Sequence, residues 1–337
     1  MKKWMRWILW GLGLMLLLTV AAVSYMVATG QHGSRPVGFQ TIRVPDPKGP
    51  PLTVGIWYPT DAAEWPMLLG LAVQWAAADS PVVGKALPLV VISHGQGGGI
   101  GSHVDTALAL VSAGFVVAAP MHTGDNYADQ SDVGGPKWFV DRARHISLTI
   151  DYMLTRWHDH ASIDATRIGM FGFSAGGTTA LIAIGGQPDF ERLARHCAKA
   201  PEFACTFWKP GKEPLPAPAT FTGDGRIKSA VIAAPGYGFA FVPDGLSNVH
   251  VPVQLWNGTA DKSVPYATNV APVAAALGDL ATVRRVPKAG HFSFLVPCGL
   301  IGPPLLCHDA KGFDRTAFHK TFNAAIVAFF DAKLAKH

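Results

Sequence analysis

The stretch Gly172-Phe173-Ser174-Ala175-Gly176 decides the fold that this sequence predicts. It follows an apolar run at 167–173 that is typical of a strand, and it opens a run of small residues at 175–180 that predicts a helix. A strand-to-helix turn this tight leaves no room for side chains at its glycines and lifts the serine hydroxyl above the sheet. We therefore predict Ser174 as a nucleophile at the positive end of the next helix.

The segments around this turn alternate between strand-like and helical patterns. Such alternation predicts an α/β fold with a mostly parallel central sheet flanked by helices. Most of the later strand-like runs are continuously apolar, as strands buried on both faces are. A Gly- and Pro-rich linker at about 30–51 precedes them. Strands are predicted at 52–58, 89–93, 115–119, 167–173, 228–234, 251–257 and 281–287, and helices at 104–113, 142–157, 175–184, 268–277 and 315–335.

A serine hydroxyl needs a base to remove its proton, and in this kind of fold the histidine comes last along the chain. His291, in the loop after the last predicted strand, meets both requirements, with His308 and His319 as lesser alternatives. An acid must orient that imidazole and stabilise its cation. We predict Asp261, which leaves a strand through a glycine turn. Asp244 and Asp279 are the alternatives.

Attack on an ester creates an oxyanion that needs two preorganised donors. One is usually the backbone N–H of the residue after the nucleophile, which is Ala175 here. The second is predicted at Gln96, in the glycine-rich segment 93–99 that follows an earlier strand. A phosphate-binding loop is the competing interpretation, but this run lacks the G-x-G-x-x-G register with an acidic partner, and no Gly-Lys-Ser/Thr follows it.

Several other side chains are expected at the same edge of the sheet. His94 more often braces a turn of this kind by hydrogen bonds, and the segment 121–125 either lines a pocket wall or serves its own loop structure. The residues predicted for the substrate pocket are His94, Gly97, His122, Phe173, Tyr237 and Phe292.

Four cysteines occur as two local pairs, eight and nine positions apart. In an oxidising compartment two local disulfides, Cys197 with Cys205 and Cys298 with Cys307, are the economical pairing. The alternatives are unpaired core cysteines or, less favoured because neither pair has Cys-x-x-Cys spacing, a zinc site. The first pair lies in a Pro-rich stretch at 185–225 that interrupts the alternation. We interpret this stretch as a cap or lid, with an inert insertion as the alternative.

The N-terminal segment predicts export. Lys2, Lys3 and Arg6 precede an uncharged apolar run at 8–27, which is long enough to span a bilayer. An uncleaved anchor is favoured over a cleaved signal peptide, whose apolar region is usually shorter. Residues 1–33 are therefore assigned to the anchor or signal with its linker, and residues 34–337 to one catalytic domain. The net charge of +5, with no block of like charges, gives no indication of nucleic-acid binding.

Five motifs resemble those of the dienelactone hydrolase-like and platelet-activating-factor acetylhydrolase-like α/β hydrolases, including exported bacterial esterases. They lie at 93–98, 172–177, 234–241, 257–261 and 289–298, and the resemblance covers most of the chain from residue 52 onward. It implies an α/β-hydrolase fold, a triad of Ser174, Asp261 and His291, and an oxyanion hole at Gln96 and Ala175. The sequence departs from true dienelactone hydrolases, which have cysteine where Ser174 stands, and from the animal acetylhydrolases, which take their acid from the earlier strand.

The expected activity is hydrolysis of short- to medium-chain carboxylic esters of small molecules or lipids, through an acyl-enzyme and without a metal or organic cofactor. An acetylhydrolase-like lipase or polyester hydrolase is one alternative. A peptidase or amidase on the same triad is another. A membrane-anchored binding protein without activity is the third, because fold alone does not establish function.

Overall fold

The core of the protein is one ten-stranded sheet. The computed structural model describes residues 3–70, 72–209, 211, 221–242, 244–299 and 302–335. The strands are β1 (Val37–Val44), β2 (Leu52–Pro59), β3 (Trp65–Leu69), β4 (Ala72–Ala78), β5 (Leu87–Ser93), β6 (Val116–Met121), β7 (Ile163–Phe173), β8 (Ile227–Ala233), β9 (Val253–Gly258) and β10 (Ala281–Val286).

The strand order across the sheet is β10-β9-β8-β7-β5-β6-β2-β1-β4-β3. All neighbours from β10 to β6 are parallel. β2 is antiparallel to both β6 and β1, and β3 forms an antiparallel hairpin with β4. The carboxyl ends of the parallel strands therefore share one edge, with β7 near the middle. The predicted fold class, a mostly parallel α/β sheet, is confirmed.

Eight helices accompany the sheet in the described residues. They are α1 (Lys3–Ala28), α2 (Val104–Ser112), α3 (Pro136–Thr155), α4 (Ala175–Ala183), α5 (Phe190–Lys199), α6 (Ala271–Leu277), α7 (Pro304–Cys307) and α8 (Arg315–Lys333). Helices α3 and α4 lie over one face of the sheet, and the buried side chains of α2 and α8 contribute to the core on the other face. Both faces of the central strands are thus covered, which explains why β5 and β6 are almost continuously buried.

The seven predicted strands correspond to β2 and β5 to β10, with ends that shift by a few residues. Two features differ from the sequence interpretation. The first is the predicted linker at 30–51, which contains β1, paired along its length with β2. The second is the β3–β4 hairpin, which was not predicted because an Ala-rich strand and a strand with a proline at its second position carry weak β signals.

The segment 185–225 forms α5 and a short 3-10 turn, Phe203–Phe207, joined by the Cys197–Cys205 disulfide. The second disulfide, Cys298–Cys307, ties the loop after β10 to α7. Both pairings are as predicted. Residues 210 and 212–220 of the proposed cap lie outside the described residues.

Helix α1 has 26 residues, none of them buried. Its mean hydropathy of 2.1 and its length are sufficient to cross a membrane, and Lys2 of the predicted basic start lies outside the described residues. A long apolar helix together with two disulfides is typical of an exported chain that carries a signal or anchor segment.

Candidate active site

Ser174 lies between β7 and α4 in a backbone conformation that side-chain-bearing residues rarely adopt, with φ 55° and ψ −117°. The flanking glycines make this turn possible. A Cβ at Gly172 would lie 2.1 Å from the carbonyl oxygen of Gly176, and a Cβ at Gly176 would lie 2.0 Å from that of Ser93. The Ser174 N–H donates to the carbonyl of Ala233 on β8, at 2.9 Å. The turn is therefore held by its neighbouring strands.

Three of the predicted residues form a continuous hydrogen-bonded chain. The Nε2 of His291 lies 2.9 Å from the Oγ of Ser174, and its Nδ1 lies 2.8 Å from Oδ2 of Asp261. Because a carboxylate only accepts, Nδ1 carries a proton in this contact and Nε2 is the acceptor for the serine hydroxyl. This is the tautomer in which a histidine acts as a general base toward serine.

Asp261 follows β9 and is held from its other side. Its Oδ1 accepts the backbone N–H of Ser263 at 2.9 Å and that of Val264 at 2.8 Å. The Asp261 side chain is fully buried. Its oxygens therefore accept from protein groups, Oδ1 from the two backbone amides and Oδ2 from His291. Among the alternatives, Asp244 is exposed. The Nδ1 of His319, the alternative histidine, lies 2.6 Å from Oδ2 of Asp105 instead.

The two predicted oxyanion donors border the same cavity as Ser174. Ala175 is the first residue of α4, where N–H groups have no partner inside the helix. Within the described ranges, no acceptor pairs with the N–H of Ala175 or of Gln96. The amides next to Gln96 are occupied, since Gly97 donates to Asp125 at 2.7 Å and Gly98 to the Gly95 carbonyl at 3.0 Å.

A buried ion pair supports the loop that carries Gln96. Asp125 accepts hydrogen bonds from Arg142 at 2.5 Å and from the Trp138 indole at 2.6 Å, while its other oxygen holds Gly97. Arg142 also donates to the carbonyl of His94. Arg142 and Trp138 were not assigned a site role from sequence, because a helix 40 residues from the loop shows no local sign of contact with it. The only available signal was a charged residue on the apolar face of a predicted helix.

His94 and His122 were predicted as pocket residues, and the structure buries both of them beside the loop instead. His94 donates from Nδ1 to the Gly95 carbonyl at 2.7 Å and accepts the His122 N–H at Nε2, at 3.1 Å. His122 contacts Ser93 and His145. Burial, followed by the Arg142 charge, lowers the pKa of His94 to about 4 and lowers that of His122 well below its usual value. Both rings therefore brace the turn, the role that the sequence analysis also gave to His94.

The cavity above Ser174 has a volume of about 310 Å³ and a mainly apolar wall. Four of the residues predicted for the substrate pocket, Gly97, Phe173, Tyr237 and Phe292, line this cavity. Sequence reasoning interpreted 185–225 as a cap but named none of the lining residues that the two disulfide-linked segments supply, which are Phe203, Ala204, Phe207, Leu305 and Leu306. Across the described ranges, no group of three or more His, Cys, Asp or Glu side chains is arranged to hold a metal ion.

Comparison with solved structures identifies the fold. A ferulic acid esterase from Streptomyces cinnamoneus is similar to this chain with a TM-score of 0.64 and 20% identity, over 91% of this chain and 92% of the esterase. A puromycin-hydrolyzing peptidase of Mycobacterium tuberculosis is similar with a TM-score of 0.54 and 16% identity, over 89% of this chain and 40% of the peptidase. No protein-family model and no curated protein matches the sequence. The chain has an α/β-hydrolase fold.

Proposed function

We propose that this protein is a serine hydrolase that cleaves carboxylic esters through Ser174, His291 and Asp261. The observation that supports this most strongly is the hydrogen-bonded chain of these three side chains at the floor of an apolar cavity. The backbone amides of Gln96 and Ala175, which have no acceptor among the described residues, border the same cavity. A base-activated nucleophile beside two free donors is the arrangement that acyl transfer requires.

In the proposed reaction, Ser174 Oγ attacks the acyl carbon while His291 Nε2 takes its proton. The amides of Gln96 and Ala175 stabilise the negative charge on the carbonyl oxygen. His291 then gives the proton to the leaving alcohol, which leaves an acyl-enzyme. A water molecule, deprotonated by the same histidine, hydrolyses this intermediate. Asp261 keeps the imidazole oriented and stabilises its cation in both halves of the reaction.

A carboxylic ester is the favoured substrate because a ferulic acid esterase is among the solved structures that align with this chain, over nearly the full length of both chains. A peptidase or amidase activity is the second candidate. The similarity to a puromycin-hydrolyzing peptidase supports it, because amide hydrolysis uses the same nucleophile, base and oxyanion donors. The finer assignment to dienelactone hydrolase-like or acetylhydrolase-like esterases is part of this proposal and depends on the motifs.

We further propose that α1 remains uncut and anchors the enzyme, with its catalytic domain outside the cytoplasm. The length and hydropathy of α1 and the two disulfides support this location. The proposed partners are therefore an ester substrate and the membrane itself.

The test is hydrolysis of p-nitrophenyl acetate by the full-length chain in detergent, beside p-nitroanilides of the same acyl group. We expect ester hydrolysis in the wild type, at a higher kcat/KM than for the anilide. We expect a loss of about 10³-fold or more in Ser174→Ala, because removal of the nucleophile abolishes the acyl-enzyme route.

The matched control is Ser247→Ala, since Ser247 is exposed in a surface turn and contributes nothing to the cavity. It should keep wild-type activity. Ester hydrolysis that survives in Ser174→Ala would contradict the assignment of the nucleophile. Faster cleavage of the anilide would replace the esterase with the amidase, and no turnover of either substrate would favour a binding protein.

A further inference from the structure

A second cavity, of about 600 Å³, adjoins the catalytic one. The two cavities share five residues. Gly97 and Gly98 belong to the loop that carries Gln96, and the others are Ser102, Leu295 and Leu306. The second cavity is therefore adjacent to the Ser174 site along these shared residues. We call the second cavity the apolar groove.

The apolar groove offers very little to a polar ligand. Arg315 is the only charged side chain among its described lining residues, and its guanidinium already donates to Asp309 and to the carbonyl of Leu306, each at 2.8 Å. The remaining wall is built mainly from hydrocarbon, aromatic and disulfide groups. Its principal side chains are Leu69, Ala72, Ile100, Met121, Tyr127, Leu295, Val296, Pro297 and Leu306, with the Cys298–Cys307 disulfide.

One wall of the apolar groove belongs to the hairpin that also holds the end of α1. Leu69 of β3 and Ala72 of β4 are paired and both line the groove. Three residues further along β4, the Trp75 indole donates to the carbonyl of Val27 near the end of α1, at 3.1 Å. The hairpin that forms this wall of the groove is thus hydrogen-bonded to α1, the helix that is long and apolar enough to enter a membrane.

Apolar side chains are also exposed around both cavities. Tyr127 of the apolar groove is 70% exposed, and Leu305 of the catalytic cavity is 74% exposed. Leu68, next to Leu69 on β3, is 70% exposed. Exposed apolar side chains clustered near a cavity mouth mark a surface that meets another apolar phase. Next to α1, which is long and apolar enough to enter a membrane, that phase is lipid.

We propose that the apolar groove binds a long hydrocarbon chain of an amphiphilic ester whose carbonyl lies at Ser174. This proposal rests on the proposed ester hydrolysis and adds the substrate class to it. Each methylene that leaves water for an apolar site contributes about 0.8 kcal/mol, which is about fourfold in kcat/KM. Activity therefore rises with chain length once the chain reaches the groove.

The test compares Leu69→Trp with Leu68→Trp in the full-length protein in detergent. Leu69 lines the apolar groove, so an indole there narrows it, whereas Leu68 is on the exposed side of the same strand. Two substrate series distinguish the chain's source, because one lengthens the acyl group of p-nitrophenyl esters and the other lengthens the alcohol of alkyl acetates. We expect Leu69→Trp to lower kcat/KM at least tenfold for the longest members of one series and to leave p-nitrophenyl acetate within twofold.

Leu68→Trp should keep the wild-type dependence on chain length in both series. Unchanged length dependence of both series in Leu69→Trp, with acetate hydrolysis intact, would overturn the groove proposal and leave the esterase standing. Absence of ester hydrolysis in the wild type would instead sink the proposed function. If Leu69→Trp also loses acetate hydrolysis, the same comparison is made with Met121→Trp, which narrows the groove from β6.

A binding measurement is independent of turnover. The Ser174→Ala protein with Leu69 intact should bind 1-dodecanol, measured by displacement of a fluorescent apolar probe, at least tenfold more tightly than Ser174→Ala/Leu69→Trp does. Equal affinity of the two proteins would contradict the proposed site.

Discussion

At the scale of single residues, the site depends on how completely the hydrogen bonds of Asp261 are satisfied. Both of its oxygens accept, one from His291 and the other from two backbone amides. A buried carboxylate held in this way has no rotational freedom, so it fixes the imidazole and opposes its positive charge. Among the described residues, the partner of His291 Nε2 is then the Ser174 hydroxyl, at 2.9 Å.

Replacement of Asp261 by asparagine tests this dependence. The amide preserves shape, but its NH₂ group can face Nδ1 and favour the wrong tautomer, and it does not stabilise the cation. We expect kcat to fall on the order of 10³- to 10⁴-fold with little change in KM. Initial rates with p-nitrophenyl acetate give both constants. Asp244→Asn, at an exposed position, is the matched control, and an Asp261→Asn enzyme as fast as this control would remove Asp261 from the mechanism.

At the scale of elements, the unit that matters is the passage from β7 through Ser174 into α4. Two approaches of about 2 Å between a built Cβ and a carbonyl oxygen show how tightly α4 lies against β5 and β7. Such contact requires glycine, since a methyl group would push the helix away from the strands. The same tightness keeps the Ala175 amide at the first position of the helix, beside the hydroxyl.

Gly176→Ala should therefore destabilise the fold, because its methyl group meets the backbone of Ser93 with no flexible side chain to move. We expect a loss of at least about 3 kcal/mol of unfolding free energy. Thermal melts followed by circular dichroism measure the effect. Gly225→Ala is the control, since nothing lies within 4 Å of a Cβ built there, and it should melt close to the wild type. Equal melting of the two variants would show that the turn is looser than described.

The segments carrying the disulfides show where prediction of elements reached its limit. The cysteine pairing was predictable from spacing, because short loops close at small entropic cost. The first segment was interpreted as a cap, but the contribution of the second to the same cavity was not predictable, since Phe203 and Leu305 lie about 100 residues apart and meet at the site only through the fold.

At the scale of the whole molecule, several histidines are buried without charge. Burial lowers the pKa of His103 to about 3, and burial with nearby Arg144 lowers that of His145 to about 4. His94 is lowered to about 4 as well. The unfolded chain, in which each titrates near 6.5, binds more protons than the folded chain below that pH. The stability contributed by these groups is therefore fully present above about pH 6.5 and is lost as the pH falls toward 4.

His103→Leu should weaken this acid sensitivity. His103 packs edge-on against Phe171 and Phe173, so leucine keeps an apolar group there without a group that must stay neutral. Between pH 6.5 and 4.5 the variant should lose about 2–3 kcal/mol less unfolding free energy than the wild type. This is the free energy of binding one proton in the unfolded chain alone over two pH units. Urea unfolding at the two pH values measures this. His250→Leu, at an exposed position, should keep the wild-type difference, and a His103→Leu protein that also keeps it would contradict the argument.

The proposed anchor makes a prediction about the complete chain. After expression with export, the protein should stay in the membrane pellet through an alkaline carbonate wash, because a span of this hydropathy is removed only by detergent. Mass spectrometry should find an N-terminus that includes α1. A soluble protein that begins within or after α1 would instead establish a cleaved signal peptide.

The sequence by itself determined the parts of this protein that depend on local pattern. The alternation of strands and helices predicted the parallel sheet, and the glycine turn around Ser174 predicted its central element. Chain order then pointed to His291 and Asp261, since each follows the end of a strand at the common edge of that sheet. The fold prediction is confirmed because backbone geometry and strand direction are properties of short segments, and the roles of Ser174, His291 and Asp261 stay predictions.

Only the tertiary structure decided which side chains face the cavity and which support it. His94 and His122 follow strands that end at the same edge as Ser174, yet both are buried and hydrogen-bonded to each other rather than placed in the described lining of the cavity. The apolar groove combines residues from β3, β4, β6 and α7. No periodicity reports such a combination, because the packing of side chains from distant segments depends on how helices and loops settle on the finished sheet.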